Sequence, residues 1–346
     1  MKPKAISLFS GAGGMDIGVS KAGFNNVCSI EMDPHCASTL RRNSSRMAVW
    51  QVDVRALDPK RTLDSLELAS GDVALLHGGP PCQSFSQIGH KRGLDDSRGR
   101  LAFEMVRFAE VLRPAAIMLE QVPTFLATEA ADGMTVLDMM QEAFFSIGYD
   151  THASVLNALE FDVPQRRKRA VIVAVPAGQS FAFPEPKRTI VTRTAGDALE
   201  GLPKAMPPNR EPLAPNHVDV TPDRDRYRIS FVPEGLWLSK ASGAPSDVVR
   251  RLTPKDSTKF RRLDRNKPSL TLRCGEALYH PTENRYITPR EAARLQGFPD
   301  DHILEGPIRR RTGVVKNLDQ HRQVANAVPP PLSMAVASSV KSELRL

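Results

Sequence analysis

The first 175 residues alternate short apolar runs with stretches whose apolar residues recur at helical spacing. The apolar runs predict strands at 5–9, 27–30, 49–52, 73–76, 115–119 and 170–175. The helical spacing predicts helices at 15–22, 34–42, 101–112 and 136–145. Such alternation favours an α/β fold, in which an open and mostly parallel sheet carries helices on both faces.

The composition changes after residue 175. Prolines become dense between residues 176 and 222, and basic residues collect between 255 and 267. Helical spacing returns only at 288–296 and at 332–344. We therefore expect a second, smaller domain of irregular loops and short strands.

Charge and cysteine usage restrict the class of protein. The chain carries 47 Lys and Arg against 39 Asp and Glu, a net charge of +8, which favours a polyanionic partner but also suits a merely soluble basic protein. No apolar run is long enough for a membrane span or a signal peptide. The four cysteines show no Cys-x-x-Cys spacing, which favours a reducing compartment and predicts no zinc site.

A rigid turn follows the predicted strand 73–76. Its sequence is Gly78-Gly79-Pro80-Pro81-Cys82, in which glycines permit close backbone approach and prolines fix φ. A cysteine held on such a turn is a candidate nucleophile. From the turn alone, a small buried cysteine without chemistry is the other interpretation.

A glycine-rich loop, Ser10-Gly11-Ala12-Gly13-Gly14, joins the first predicted strand to the first predicted helix. Glu31 ends the second strand about twenty residues later, where an acid commonly binds ribose hydroxyls. By itself this pattern suits a nicotinamide dinucleotide as well as S-adenosylmethionine. The next glycine is Gly18, which departs from the dinucleotide spacing.

Residues 78–86 closely resemble the catalytic Pro-Cys segment of the bacterial cytosine-C5 DNA methyltransferases. The resemblance implies that Cys82 adds to carbon 6 of the cytosine. Glu120-Gln121-Val122 is similar to the Glu-Asn-Val motif of this family, with Gln in place of Asn, and implies that Glu120 protonates N3. Gln165, Arg167 and Arg169 match the Gln-x-Arg-x-Arg motif. By this match Arg169 reaches the cytosine O2, and Arg167 orients Glu120 or the Cys82 loop.

The resemblance also implies an S-adenosyl-L-methionine site, with S-adenosyl-L-homocysteine as product and no metal. Phe9 would pack on adenine, Glu31 would bind ribose, and Asp53 would accept from the adenine amino group. Met32 stands where family members often carry an aromatic residue. The full set of expected cofactor residues is Phe9, Gly11, Gly13, Glu31, Met32, Asp53, Val54, Pro80, Leu101, Asn326 and Ala327.

Other family segments define the expected domains. Residues 285–299 and 323–330 resemble two later motifs, and the loop 84–100 is expected to close over DNA. The implied fold is a Rossmann-like S-adenosylmethionine-dependent methyltransferase sheet with a smaller irregular target-recognition domain. We expect residues 1–175 and 323–346 to form the catalytic and cofactor-binding domain, and residues 176–322 to form the target-recognition domain.

The sequence thus predicts a DNA (cytosine-5)-methyltransferase that acts on a flipped cytosine of a specific duplex sequence. The expected binding partner is double-stranded DNA, and a cognate restriction endonuclease is expected as a functional partner that need not touch the protein. We expect a monomer that lies in the cytoplasm, at the nucleoid. Three alternatives stay open: tRNA cytosine methylation by the same chemistry, a catalytically inactive DNA-binding relative, and a nicotinamide oxidoreductase. The last accounts only for the glycine loop.

Overall fold

A computed structural model describes residues 1–81, 99–129, 133–186, 192–241, 243–249, 260–274, 276, 278–309 and 317–346. The chain divides into two compact units. Unit 1 comprises Met1–Phe161, Lys168–Lys187 and Val328–Leu346, and unit 2 comprises Asp162–Arg167 and Arg188–Ala327. This division differs from the predicted boundaries, because 162–167 and 323–327 pack within unit 2 and 176–187 within unit 1. The functions assigned to the two parts stay predictions.

The strands of the described residues are β1 (Lys4–Leu8), β2 (Asn25–Ile30), β3 (Ala48–Trp50), β4 (Val73–Gly78), β5 (Ala116–Gln121), β6 (Tyr149–Asn157), β7 (Gln165–Arg166), β8 (Lys168–Pro176) and β9 (Ser269–Leu270). Seven of them form the sheet of unit 1 in the order β3-β2-β1-β4-β5-β8-β6. The first five run parallel, whereas β8 is antiparallel to both β5 and β6. The predicted α/β fold with a mostly parallel sheet is confirmed.

The helices of the described residues are α1 (Gly14–Lys21), α2 (Pro34–Asn43), α3 (Pro59–Ser65), α4 (Glu104–Leu112), α5 (Val136–Ser146), α6 (Ala195–Leu199), α7 (Asp223–Ser230), α8 (Ser246–Val249), α9 (Pro289–Leu295), α10 (Gln320–Asn326) and α11 (Pro330–Glu343). The local sequence explains where several of these helices begin. Thr135 and Asp138 form a capping box at α5, and Thr288 and Glu291 form another at α9. The predicted helix 101–112 begins as a 3₁₀ turn before α4.

The core of unit 1 lies on both faces of the central strands. Leu76 of β4 and Ile117 of β5 are fully buried among Phe108 and Phe144 from the flanking helices. Helix α11 packs against α1, and a side chain at Gly18 would overlap Ser333. The prediction that the final helix returns to the first domain is confirmed.

Unit 2 has little regular structure. Its two-stranded sheet pairs β7 with β9, and a separate apolar cluster includes Ile229, Leu238 and Tyr286. Among the residues with described positions, no helix is both long enough and apolar enough to cross a membrane.

Candidate active site

The predicted functional residues of unit 1 gather at the carboxyl ends of its parallel strands. Phe9 follows β1, Glu31 follows β2, Asp53 follows β3 and Pro80 follows β4, while Glu120 is the next-to-last residue of β5. Carboxyl ends of parallel strands share one edge of the sheet, which is where open α/β sheets bind their ligands. One edge of unit 1 therefore carries these five expected residues.

The glycine loop after β1 is held in left-handed backbone conformations. Gly11 has φ +54° and Gly13 has φ +82°, and Gly13 is the N-cap of α1. Phe9 also has φ +54°, a costly conformation for a residue with a side chain, and it packs partly buried on the core of unit 1. A Cβ placed on Gly11 would meet no atom within 4 Å. This open space fits a ligand that approaches the loop backbone.

Glu31 is fixed by two backbone donors. The Gly11 N–H donates to Oε2 across 2.7 Å, and the Asp33 N–H donates to Oε1 across 2.8 Å. Burial raises the pKa of the Glu31 carboxyl, and these two hydrogen bonds oppose that rise. Each oxygen keeps a further lone pair, so the group fits the hydroxyls of a ribose.

The other expected adenosine contacts differ in their surroundings. The Met32 side chain is 64% exposed. Asp53 caps a short 3₁₀ turn and binds the Arg55 guanidinium through both oxygens, and this contact lowers the pKa of its carboxyl. Val54 is buried in the core, and Leu101 is half-buried. Arg55 therefore already occupies the Asp53 carboxylate that was expected to bind adenine.

The segment leading to Cys82 is tied to the end of β5. The Gln121 side-chain amide donates to the Pro80 carbonyl across 2.7 Å, and Gln121 is almost fully buried. A Cβ on Gly79 would lie 3.6 Å from Glu120 Oε2. Cys82 itself and the loop up to residue 98 lie outside the described residues.

Glu120 and Arg169 form an ion pair at the same strand end. Arg169 Nε lies 2.5 Å from Glu120 Oε1, and the two side chains are only 13% and 11% exposed. Glu120 pairs with Val171 across the β5–β8 ladder, so Arg169, two residues earlier, is its diagonal neighbour on the same face. The antiparallel direction of β8 thus brings the two predicted reaction residues together.

Arg167 is buried and binds backbone carbonyls. Its guanidinium is buried in unit 2 and donates to the backbone carbonyls of Leu272 at 3.2 Å, Ala325 at 2.8 Å and Ala327 at 3.2 Å. Arg169 makes an ion pair with Glu120, and a role of Arg167 in orienting Glu120 or the Cys82 loop stays a prediction. Sequence spacing alone could not distinguish the two, since both arginines fit the same motif.

Gln165 of the same motif is also structural. It donates to Gln296 across 2.7 Å and accepts from the Leu272 N–H across 3.1 Å. Asn326 is exposed and accepts from the Cys274 thiol across 2.8 Å, while Ala327 is buried. Both of these expected cofactor residues belong to unit 2.

A buried polar network that sequence reasoning missed supports the glycine loop. Asp16 in the first turn of α1 accepts from Ser29 across 2.6 Å and from Ser7 across 3.3 Å, and Ser10 donates to Ser7 across 2.8 Å. Burial raises the pKa of Asp16 to about 6, against the opposing effect of the two hydroxyls. Two serines inside otherwise apolar strands were the signal for this network.

Comparisons with known proteins agree on one family. A family model described as C-5 cytosine-specific DNA methylase matches residues 3–342. Type II methyltransferase M1.HphI of Haemophilus parahaemolyticus is 34% identical over 97% of this chain and 86% of that protein. Type II methyltransferase M.Eco47II of Escherichia coli is 35% identical over 97% of this chain and 78% of that protein.

Solved structures share the fold. The crystal structure described as a DNA modification methyltransferase from an Escherichia coli prophage superposes with a TM-score of 0.73 and 25% identity over the whole of both chains. The S. pombe Dnmt2 methyltransferase superposes with a TM-score of 0.61 and 16% identity over 99% of both chains, a likeness of fold alone.

Proposed function

The chain belongs to the C-5 cytosine-specific DNA methylase family and is an S-adenosylmethionine-dependent DNA cytosine-5 methyltransferase, and we propose that Cys82, Glu120 and Arg169 carry its reaction. The observation that carries the assignment is the Glu120–Arg169 ion pair at the carboxyl end of β5. The hydrogen bond from Gln121 to Pro80 supports the place of the nucleophile, since Pro80 precedes Cys82 by two residues.

The proposed steps follow from the weak nucleophilicity of cytosine C5. The Cys82 thiolate adds to C6, and the electron pair of the C5=C6 bond moves toward N3 and O2. Glu120, which takes up a proton before this step, gives that proton to N3, and the guanidinium of Arg169 stabilises the charge at O2. C5 would then take the methyl group that the bound cofactor supplies, with S-adenosylhomocysteine as the leaving group. A base removes the C5 proton, N3 returns its proton to Glu120, and the C6–S bond breaks to return the thiolate.

Arg169 has a second effect in this scheme. Its Nε lies beside Glu120 Oε1, so the positive charge would favour carboxyl orientations that keep this oxygen near Arg169 before the base arrives. A pre-oriented donor needs no reorganisation in the transition state. A largely shielded pair also interacts more strongly than an exposed one, since the surrounding dielectric is lower.

The residues after β1 and β2 would hold the cofactor, which supplies the methyl group as an electrophile. The open space over Gly11 and the fixed carboxyl of Glu31 support this assignment. Phe9 and Met32 would contact the adenine. Asp53 would have to share its carboxylate between Arg55 and the adenine amino group.

The biological setting is proposed from the substrate. Methylation of one cytosine in a specific duplex sequence would protect DNA from a cognate restriction endonuclease. We expect the enzyme to act as a monomer at the nucleoid. Bisulfite sequencing of a plasmid from cells that express the protein would identify the target sequence.

The test of the mechanism is the Cys82→Ala variant. We expect it to lose transfer of tritiated methyl from S-adenosylmethionine to plasmid DNA while it still binds a target duplex in a gel-shift measurement. Duplex DNA that carries 5-fluorocytosine at the target should trap the unaltered enzyme covalently. Methyl transfer by the variant would overturn the assignment of Cys82, and incorporation into tRNA rather than plasmid would overturn the DNA substrate.

A further inference from the structure

One buried carboxylate of unit 1 takes part in no step of the proposed reaction. Asp16 lies in the first turn of α1 and is only 5% exposed. Ser29 donates to its Oδ1 across 2.6 Å, and Ser7 donates to its Oδ2 across 3.3 Å. A carboxylate that is withdrawn from water costs free energy unless such donors compensate it. The position of Asp16 therefore calls for an explanation beyond packing.

The two hydroxyls that bind Asp16 belong to neighbouring strands. Ser7 of β1 pairs with Ser29 of β2 in the parallel ladder, so the two side chains lie on the same face of the sheet. Each of them binds a different oxygen of the one carboxylate. The Met47 sulfur also lies 2.9 Å from the Ser29 hydroxyl, but a carboxylate is the stronger acceptor. The carboxylate thus connects the end of β1 to the end of β2.

Both strand ends lead directly to residues that are expected to bind the cofactor. After β1, Ser10 of the glycine loop donates to Ser7 Oγ across 2.8 Å, and Gly11 is the next residue. After β2, Glu31 stands two residues beyond the second serine. The Gly11 N–H donates to Glu31 Oε2 across 2.7 Å, so the contacts form a closed circuit that contains the Asp16 carboxylate.

We propose that Asp16 is a positioning residue for the cofactor, whose carboxylate holds the glycine loop and the Glu31 end of β2 at the spacing that a ribose requires. This inference rests on the proposed function, because it assumes that Glu31 binds the ribose. Asp16 acts through Ser7, Ser10 and Ser29 and does not itself touch the cofactor. Binding groups that are already in place avoid the cost of ordering them when the ligand arrives.

The experiment compares D16A with the unaltered enzyme at about pH 8, above the pKa of about 6 of the Asp16 carboxyl, so that this group is ionised. Calorimetry measures the Kd of S-adenosylhomocysteine, and steady-state kinetics measure the KM for S-adenosylmethionine and kcat. D16A should raise Kd and KM about 10-fold, the effect of about one hydrogen bond. The value of kcat should change less than about twofold, because the reacting groups are untouched. An unchanged Kd would overturn the proposal.

D16N tests whether hydrogen bonds are what Asp16 supplies. The amide oxygen of Asn can accept from Ser29, and its amide group can donate to the Ser7 hydroxyl. D16N should therefore regain most of the affinity that D16A loses. An affinity of D16N as low as that of D16A would overturn the proposed positioning through the serines.

Asn26 offers the matched control for a merely structural effect. Its amide donates to the Asp16 backbone carbonyl across 2.8 Å, and its side-chain oxygen bonds His77 across 3.0 Å, so neither bond involves the Asp16 carboxylate. N26A should lower the free energy of unfolding and leave the Kd of S-adenosylhomocysteine unchanged. Equal increases of Kd in D16A and N26A would overturn the proposal, since a general loosening of α1 would then explain both.

S10A keeps the proposal testable if D16A does not fold. It removes the 2.8 Å hydrogen bond between the loop and Ser7 and leaves the buried carboxylate with both of its donors. S10A should raise the Kd of S-adenosylhomocysteine about 5-fold. An unchanged Kd in S10A would show that the loop does not depend on this contact and would overturn the proposal.

A measurement without cofactor separates this inference from the proposed function. The amide hydrogen of Gly11 bonds Glu31, so its exchange with solvent should be about 10-fold faster in D16A than in the unaltered protein. An unchanged exchange rate would overturn the inference. Failure of the proposed function is separate, since the unaltered protein would then bind no S-adenosylhomocysteine.

Discussion

The Gln121 side-chain amide donates a 2.7 Å hydrogen bond to the backbone carbonyl of Pro80, which joins the buried end of β5 to the turn that carries Cys82. Gln121 is 2% exposed, so the bond is shielded from water. The position corresponds to the Asn of the family motif, and here the longer side chain reaches the Pro80 carbonyl. The start of the nucleophile turn therefore depends on the length of this side chain.

We predict that Gln121→Asn impairs the enzyme although it installs the residue of the family motif. Asn is shorter by one methylene group, so its amide would fall short of the Pro80 carbonyl. Loss of a buried hydrogen bond costs about 1–3 kcal/mol, and a misplaced nucleophile turn should slow single-turnover methyl transfer about 10-fold or more. DNA affinity should stay the same.

Gln51→Asn is the matched control for this prediction, because Gln51 is exposed and accepts only a long hydrogen bond from Arg41. Its single-turnover rate should equal that of the unaltered enzyme. If Gln121→Asn transferred methyl groups at the unaltered rate, the hydrogen bond to Pro80 would have no role in placing Cys82.

Substitution of Arg167 should mainly lower the stability of the protein, whereas substitution of Arg169 should mainly lower the rate of methyl transfer. Arg167→Gln would leave three backbone carbonyls of unit 2 without their donor, which should lower the free energy of unfolding by about 2–4 kcal/mol. Arg169→Gln would remove the cation beside Glu120, which should lower the rate of methyl transfer about 100-fold or more with a smaller loss of stability. Urea unfolding and single-turnover kinetics of both variants would measure the contrast.

Arg224→Gln controls for the loss of a positive charge, because the Arg224 side chain is 67% exposed. This variant should change neither the free energy of unfolding nor the rate of methyl transfer measurably. The assignment of roles would be wrong if Arg167→Gln were as stable as the unaltered protein but inactive, or if Arg169→Gln kept full activity.

The sequence was sufficient for the parallel part of the sheet, because its central strands β1, β4 and β5 are short, mostly apolar runs that are almost fully buried. The sequence pattern alone did not predict the strand β6. Residues such as Asp150, Thr151 and His152 interrupt its apolar pattern, and its position beside β8 at the edge of the sheet leaves side chains partly exposed. A strand of this kind is specified by its partner strand more than by its own composition.

The candidate site likewise combines residues that the sequence predicted with contacts that it did not predict. Glu120 and Arg169 were predicted from their motifs, but their ion pair depends on the antiparallel register of β5 and β8, which no local pattern encodes. The hydrogen bonds of Arg167 to distant carbonyls likewise depend on the tertiary fold. Motifs identified the reacting side chains, and the fold determined which of them touch.

The buried carboxyl of Asp16 gives the last prediction, a dependence of stability on pH. The pKa of Asp16 is raised by burial from 3.8 to about 6, so the folded state holds its proton more tightly than the unfolded state. The stabilisation by that proton is complete below pH 3.8 and is lost as pH rises through 6, a change of about 3 kcal/mol. In urea unfolding, the stability of the unaltered protein relative to Asp16→Asn should therefore fall over this interval, whereas relative to Gln51→Asn, which changes no titratable group, it should stay constant. A constant difference for Asp16→Asn would show that the carboxyl is solvated in the folded protein.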